Sequence, residues 1–146
     1  MPAAPVTPEA DAFLRKPNAC VVATLLPGGA PHTAATWYDW EDGRVLVNMH
    51  SDRIRLANIR QDPRVSLTAT DVENWYWQLT LMGRVVSIED DVDLRDIDRL
   101  ANRYIGGDYP AREEPRVSAW IEVDRWHGWD PVRYGRWEPG VSEPPV

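Results

Sequence analysis

Apolar and polar residues alternate over several short stretches of this 146-residue chain and recur at helical spacing over a few others. Ala19 to Leu26 (Ala-Cys-Val-Val-Ala-Thr-Leu-Leu) is a short apolar run of the kind a buried strand uses, and Pro27-Gly28-Gly29 turns the chain back. Pro31 to Trp40 forms the returning strand, and Glu41-Asp42-Gly43 separates it from a third, Arg44 to Met49. A strand from Arg64 to Ala69, a turn at Asp71 to Asn74 and a long strand region from Trp75 to Glu89, bent at Gly83, come next. In the last strand, Arg116 to Asp124, alternation places Val117, Ala119, Ile121 and Val123 on one face. Three helices interrupt this series. Thr7-Pro8-Glu9 offers a hydroxyl cap and a proline at the first helical position, and that helix ends near Lys16, before Pro17. A second, short helix starts at a Ser51/Asp52 cap and stops before Pro63. The third spans Asp91 to Ile105, with Val92, Leu94, Ile97, Leu100, Ala101, Tyr104 and Ile105 near one stripe and Gly106-Gly107 as its stop. Strands joined by tight turns and flanked by helices predict an α+β chain, mainly β, built as an antiparallel barrel or sandwich. No repeat or linker divides it, so residues 1–146 are expected to form one domain, with extended tails at 1–7 and about 138–146.

Composition narrows what such a domain can do. Hydrophobic residues make up 43% of the chain, which places it among globular proteins. A net charge of -7 excludes the broad basic face that general nucleic-acid binding needs. The lone cysteine, Cys20, allows no intrachain disulfide and fits a reducing compartment. No apolar run approaches the roughly 20 residues of a membrane-spanning helix, and Met1 to Thr7 has no signal-peptide pattern, so a cytoplasmic protein without membrane or nucleic-acid partners is expected. Eight tryptophans stand against one phenylalanine. Indoles favour interfaces and flat ligands, although core and rim packing would use them too.

The candidate chemistry lies between Asn48 and Arg64. Arg53 and Arg55 fall in the first turn of the short helix, the end that the macrodipole already makes positive. Two readings follow. Either Asp52 and solvent satisfy both side chains, or guanidinium and free backbone amides together await a phosphate or carboxylate. Elsewhere His32, His50 and His127 share no metal-ligand spacing with one another or with Cys20, so no metal site is expected. Asp90, Asp91, Asp93, Asp96 and Asp98 crowd a helix start and read as a solvated face. Glycine-rich phosphate loops and nucleophile motifs are absent from the sequence, and no catalytic residue is assigned. Any difficult chemistry would then belong to a bound cofactor.

The order of motifs resembles the pyridoxamine-phosphate-oxidase-like split β-barrel superfamily, and within it the flavin/deazaflavin oxidoreductases. The likeness runs over about Asp11 to Asp130. It rests on Thr24-Leu25-Leu26-Pro27-Gly28-Gly29-Ala30-Pro31-His32, on Thr36-Trp37-Tyr38-Asp39-Trp40 and on Asp42-Gly43-Arg44-Val45-Leu46-Val47-Asn48. The arginine-rich segment through Asn58, then Asp62-Pro63-Arg64-Val65 and Gly83-Arg84-Val85, continue it. The resemblance implies an FMN-binding-like split barrel, a homodimer with cofactor at the subunit interface, and a small-molecule substrate. It implies cofactor-binding roles for Thr33 and Trp37 along the ring, Met49 and His50 at its edge, Arg53 and Arg55 on the phosphate, Asn58 ordering the helix, and Trp77 (or Trp75) approaching from the second subunit. Arg55 stands where many relatives have lysine and Met49 where many have threonine, so contact at Met49 would be apolar. The implied activity is hydride transfer from coenzyme F420 to a planar conjugated acceptor. FMN is the alternative cofactor, and a non-catalytic flavin or tetrapyrrole binder, or a dimer with a vestigial pocket, are the alternative functions. Tyr104, Tyr109 and His50 are conceivable proton donors, with packing the more ordinary role for the tyrosines.

Overall fold

The computed structural model describes residues 5–131 and the backbone of 135–137, so residues 1–4 of the expected 1–7 tail and the expected tail at about 138–146 lie outside the described residues. The chain forms eight strands, β1 Ala19–Leu25, β2 Pro31–Thr36, β3 Asp39–Glu41, β4 Arg44–His50, β5 Arg64–Thr70, β6 Gln78–Asp90, β7 Arg116–Asp130 and β8 Gly135–Trp137, of which β5 alternates buried and half-buried positions and β4 is buried on both faces. All pair antiparallel in one sheet of order β2-β1-β5-β6-β7-β4-β3, with β8 also on β7. The two long strands join two halves of this sheet. The first half of β6 pairs with β5, whereas the first half of β7 pairs with β4, and β6 and β7 pair with each other along their length. Register shifts between Met82 and Gly83 and between Val85 and Ser87 mark the bend. At Gly83 a Cβ would stand 1.9 Å from the Glu122 carbonyl oxygen, so only glycine permits that approach.

Three helices, α1 Pro8–Leu14, α2 Ile54–Gln61 and α3 Arg95–Ile105, lie against the sheet. Thr7 caps α1 as its sequence predicts, its hydroxyl accepting the Ala10 amide at 3.2 Å. The core between helices and sheet includes Phe13, Leu14, Tyr38, Trp40, Met49, Leu56, Leu79, Ile121 and Trp126, each under 5% exposed. No helix among the described residues is long and apolar enough to cross a membrane.

Four local expectations are corrected. Pro31 to Trp40 is not one strand: Trp37 and Tyr38 carry the chain from β2 at one end of the sheet path to β3 at the other, and the buried Tyr38 hydroxyl donates to the Leu14 carbonyl at 2.8 Å. The start of α2 has Arg53 at its cap position with no side-chain acceptor, so neither Ser51 nor Asp52 caps it. Third, α3 begins at Arg95, because Asp93 and Leu94 are left-handed (φ 58° and 57°) and break a preceding 3₁₀ turn from the helix. The last strand runs on to Asp130, six residues beyond the expected end, and includes Trp126 to Trp129.

The acidic run at 90–98 also differs from a solvated face. Asp91 is 8% exposed and accepts the amides of Asp96 and Ile97, each at 2.9 Å, capping α3 from outside its first turn. Asp96 accepts the Ser118 hydroxyl at 2.7 Å. These carboxylates fasten α3 to the sheet.

Candidate functional site

An open slot of about 560 Å³ lies where the α1–β1 junction, the end of β2, α2, α3 and the start of β7 converge. Aromatic rings form one part of it. Trp37 stacks on Tyr104 with centroids 5.5 Å apart and planes 6° from parallel, and Tyr109 meets Trp37 edge-on at 6.1 Å and 89°. Cys20, Ile97 and Leu100 contribute apolar wall. Burial pushes the Cys20 thiol up to about 12, so it is a neutral wall group at ordinary pH.

Arg55, Arg116 and Asn48 form the polar part. The Nε of Arg55 is buried and meets no hydrogen-bond partner among the described residues. Its guanidinium is held below its ordinary pKa, first by burial and then by the like charges of Arg53 and Arg116. Arg116 donates its Nε–H to Asn48 Oδ1 at 2.7 Å, and its guanidinium lies 4.7 Å from the Tyr109 ring centre. Asn48 in turn donates to Asp91 at 3.0 Å and to Ser118 Oγ at 3.1 Å. Arg116 is therefore aimed by a buried relay while its terminal nitrogens keep no described partner. Three guanidinium groups close enough to repel, none of them in an ion pair among the described residues, make this end of the slot electropositive.

The residues singled out in the sequence occupy different positions around this slot. Trp37 and Arg55 line it. Thr33 is exposed on β2, on the same face as the lining residue Ala35 by strand alternation. Arg53 is exposed at the α2 cap, and Asn58 is buried and donates to Thr24 Oγ1 at 3.0 Å, tying α2 to β1. His50 ends β4 with Nδ1 2.6 Å from Asp52 Oδ1 and Nε2 4.0 Å from Glu114, and it is not a lining residue. Met49 is 1% exposed within the core. Trp77 packs its ring 5.5 Å from Phe13, with the Lys16 ammonium 4.6 Å from its ring centre. Trp75 lies in the turn before β6 and stacks on Tyr76 at 4.2 Å.

Sequence reading missed Arg116 and the binding side of Asn48. Their signal is a pairing: Arg116 stands opposite His50 in the β4–β7 register, two positions from Asn48. Tyr104 is placed in the slot as a ring and not as a proton donor. Its hydroxyl donates to the Asn18 carbonyl at 2.7 Å, and burial raises its pKa to about 12. The residues present fit a flat ring bearing an anionic group, because stacked aromatics adjoin guanidinium groups that have no ion-pair partner among the described residues. No cluster of three potential metal ligands occurs among the described residues.

Comparison with known proteins agrees with this architecture. The sequence profile described as pyridoxamine 5'-phosphate oxidase matches residues 6–130. No curated protein matches the chain significantly. Among solved structures, an F420 reductase is 26% identical and superimposes with a TM-score of 0.73, over 80% of this chain and 94% of its own. A conserved hypothetical protein from Mycobacterium tuberculosis gives a TM-score of 0.66 at 21% identity, over 98% of this chain and 93% of its own. General Stress Protein 26 from Bacillus anthracis gives 0.60 at 19% identity, over 81% and 89%. The last two likenesses are of fold.

Proposed function

Because this chain belongs to the pyridoxamine 5'-phosphate oxidase family, we propose that it is an oxidoreductase that binds the deazaflavin coenzyme F420 and passes a hydride to a planar conjugated small molecule. One observation carries the reading. An aromatic slot of Trp37, Tyr104 and Tyr109 adjoins Arg55, whose buried Nε lacks a described partner. The likeness to an F420 reductase at 26% identity favours F420 over FMN.

In this reading Arg53 and Arg55 take the phosphate together with the uncapped amides of α2, and Asn58 keeps that helix on β1 through Thr24. Thr33 and Trp37 run along the ring, whereas Met49 lies in the core and His50 outside the lining of the slot, so neither is assigned a ring contact. Bound there, the coenzyme supplies hydride chemistry. The protein's own contribution is to hold the ring flat on the aromatic wall, exclude water with Ile97 and Leu100, and keep an acceptor stacked over it. No proton donor is assigned. Val21 and Val72, 44% and 73% exposed where they line the slot, form apolar surface for a second copy. In this reading the working form is a cytoplasmic homodimer with the cofactor between its copies, and Trp77, packed on Phe13 and Lys16 of its own chain, is not assigned to the site of the other copy.

Parallel titrations of the purified protein with F420 and FMN, followed by tryptophan quenching, test this. F420 is expected to bind at micromolar concentration or tighter and FMN more weakly, with F420 affinity lost in the Arg53→Ala/Arg55→Ala double variant. Tighter FMN binding moves the protein to flavin chemistry. Unchanged affinity in the double variant removes the phosphate assignment.

A further inference from the structure

The segment between α3 and β7 begins with Gly106-Gly107, which has little conformational preference of its own, yet it delivers Tyr109 to the slot. Two clasps from α3 hold it. Asp98 Oδ1 accepts the Tyr109 backbone N–H at 2.9 Å and an Arg112 Nη1 hydrogen at 2.5 Å, and its Oδ2 accepts Arg112 Nη2 at 3.0 Å. Arg112 also donates to the Tyr109 carbonyl at 3.1 Å, so both backbone groups of Tyr109 are fastened. One turn on, Asn102 donates to the Asp98 carbonyl and to Asp108 Oδ1, each at 2.8 Å. The Arg112 hydrogen bond is the largest influence holding the Asp98 carboxyl below the usual carboxylate range, consistent with an engaged anion.

An exposed ion pair alone contributes little to stability. Here its geometry does something more specific. Tyr109 has its ring 4.7 Å from the Arg116 guanidinium and edge-on to Trp37, so its placement orients an arginine and an indole together. We propose that Asp98 is a positioning residue for the site: by clasping the 106–115 segment it holds Tyr109 against Trp37 and Arg116 and sets the shape of the slot that receives the ring. Its effect on ligand binding rests on the slot being the cofactor site; the clasp itself does not.

The test uses the full chain and two readouts. Ring-labelled tyrosine NMR, with Tyr109 assigned by Tyr109→Phe, reports the ring-current shift that Trp37 imposes without any ligand. Titration with F420 reports affinity. Asp98→Ala is expected to abolish the Tyr109 ring shift, while Asp98→Asn, which keeps an oxygen for the Tyr109 amide, retains part of it. Asp98→Ala is also expected to weaken F420 about tenfold, as loss of one charge-assisted anchor would. Tyr109→Ala should weaken binding similarly, and the double variant should be no weaker than either alone. An unchanged ring shift in Asp98→Ala overturns the clasp. A lost shift with unchanged F420 affinity overturns the positioning role while leaving the cofactor reading intact. If the unaltered protein does not bind F420, that reading falls, and the ring shift alone decides the clasp.

Discussion

At the scale of single residues, Arg55 is the most informative side chain. A guanidinium held half-buried beside Arg53 and Arg116, with a buried Nε that has no partner among the described residues, raises the free energy of the folded protein unless an anion joins it. Function and stability should therefore pull apart at this position. Arg55→Met keeps the volume and removes the repelled charge. It is expected to raise unfolding free energy by about 0.5–1 kcal/mol in urea denaturation without ligand, and to weaken F420 at least about tenfold. A parallel loss of both would make Arg55 a structural residue. Arg103 shows the contrasting case: it donates to the carbonyls of Leu14, Arg15, Lys16 and Tyr38 at 2.6–3.2 Å and is committed to closing the end of α1. The sequence marks both simply as arginines. The placement of Arg55 in a helix's first turn was legible, whereas the presence of Arg116 beside it was not, because 60 residues of chain separate them.

At the scale of elements, the junction of β6 and β7 decides the sheet's bend. Gly83 sits at a register shift, and a side chain there would run into the Glu122 carbonyl. Gly83→Ala should cost about 3 kcal/mol, measured as a shift of the urea midpoint, because the obstacle is backbone with no rotamer to yield. Loss below about 0.5 kcal/mol would mean that the two strands separate easily there. The bend at Gly83 was expected from the sequence, since a glycine interrupting a strand pattern marks a bulge or close approach. The break at Trp37 and Tyr38 was not. No glycine or proline interrupts His32 to Trp40, and only the partner strands show that β2 pairs with β1 while β3 pairs with β4. The left-handed pair Asp93 and Leu94 was equally hidden, because Asp91 reaches past it to cap α3.

At the scale of the whole molecule, buried neutral acids set the alkaline limit of stability. Burial raises the Cys20 thiol from 9.0 to about 12 and the Tyr104 phenol from 10.0 to about 12, and it raises Tyr38 as well. A raised folded pKa contributes stability that is complete below the unfolded value and disappears as pH climbs toward the folded one. Unfolding free energy should thus be level between pH 7 and 8 and decline from about pH 9, by about 1.4 kcal/mol per pH unit for each group passing its unfolded pKa. Cys20→Ala should move the onset up to about pH 10, where the phenols begin. Denaturation curves across this range check the sign, and a flat profile to pH 11 would mean that these groups are hydrated.

The sequence by itself determined the strand-rich class, the three helices, the turns at Pro27 to Gly29 and Glu41 to Gly43, the family resemblance and the anomalous arginines at the start of α2. Each of these is a short-range property, carried by alternation, turn residues or charge within a few positions of one another. Tertiary structure alone decided that Trp37, Tyr104 and Tyr109 meet, that Asn48 aims Arg116, and that Asp98 fastens the segment that carries Tyr109. Those contacts join residues from separate elements, and their geometry follows from strand register and helix placement, which no local pattern encodes.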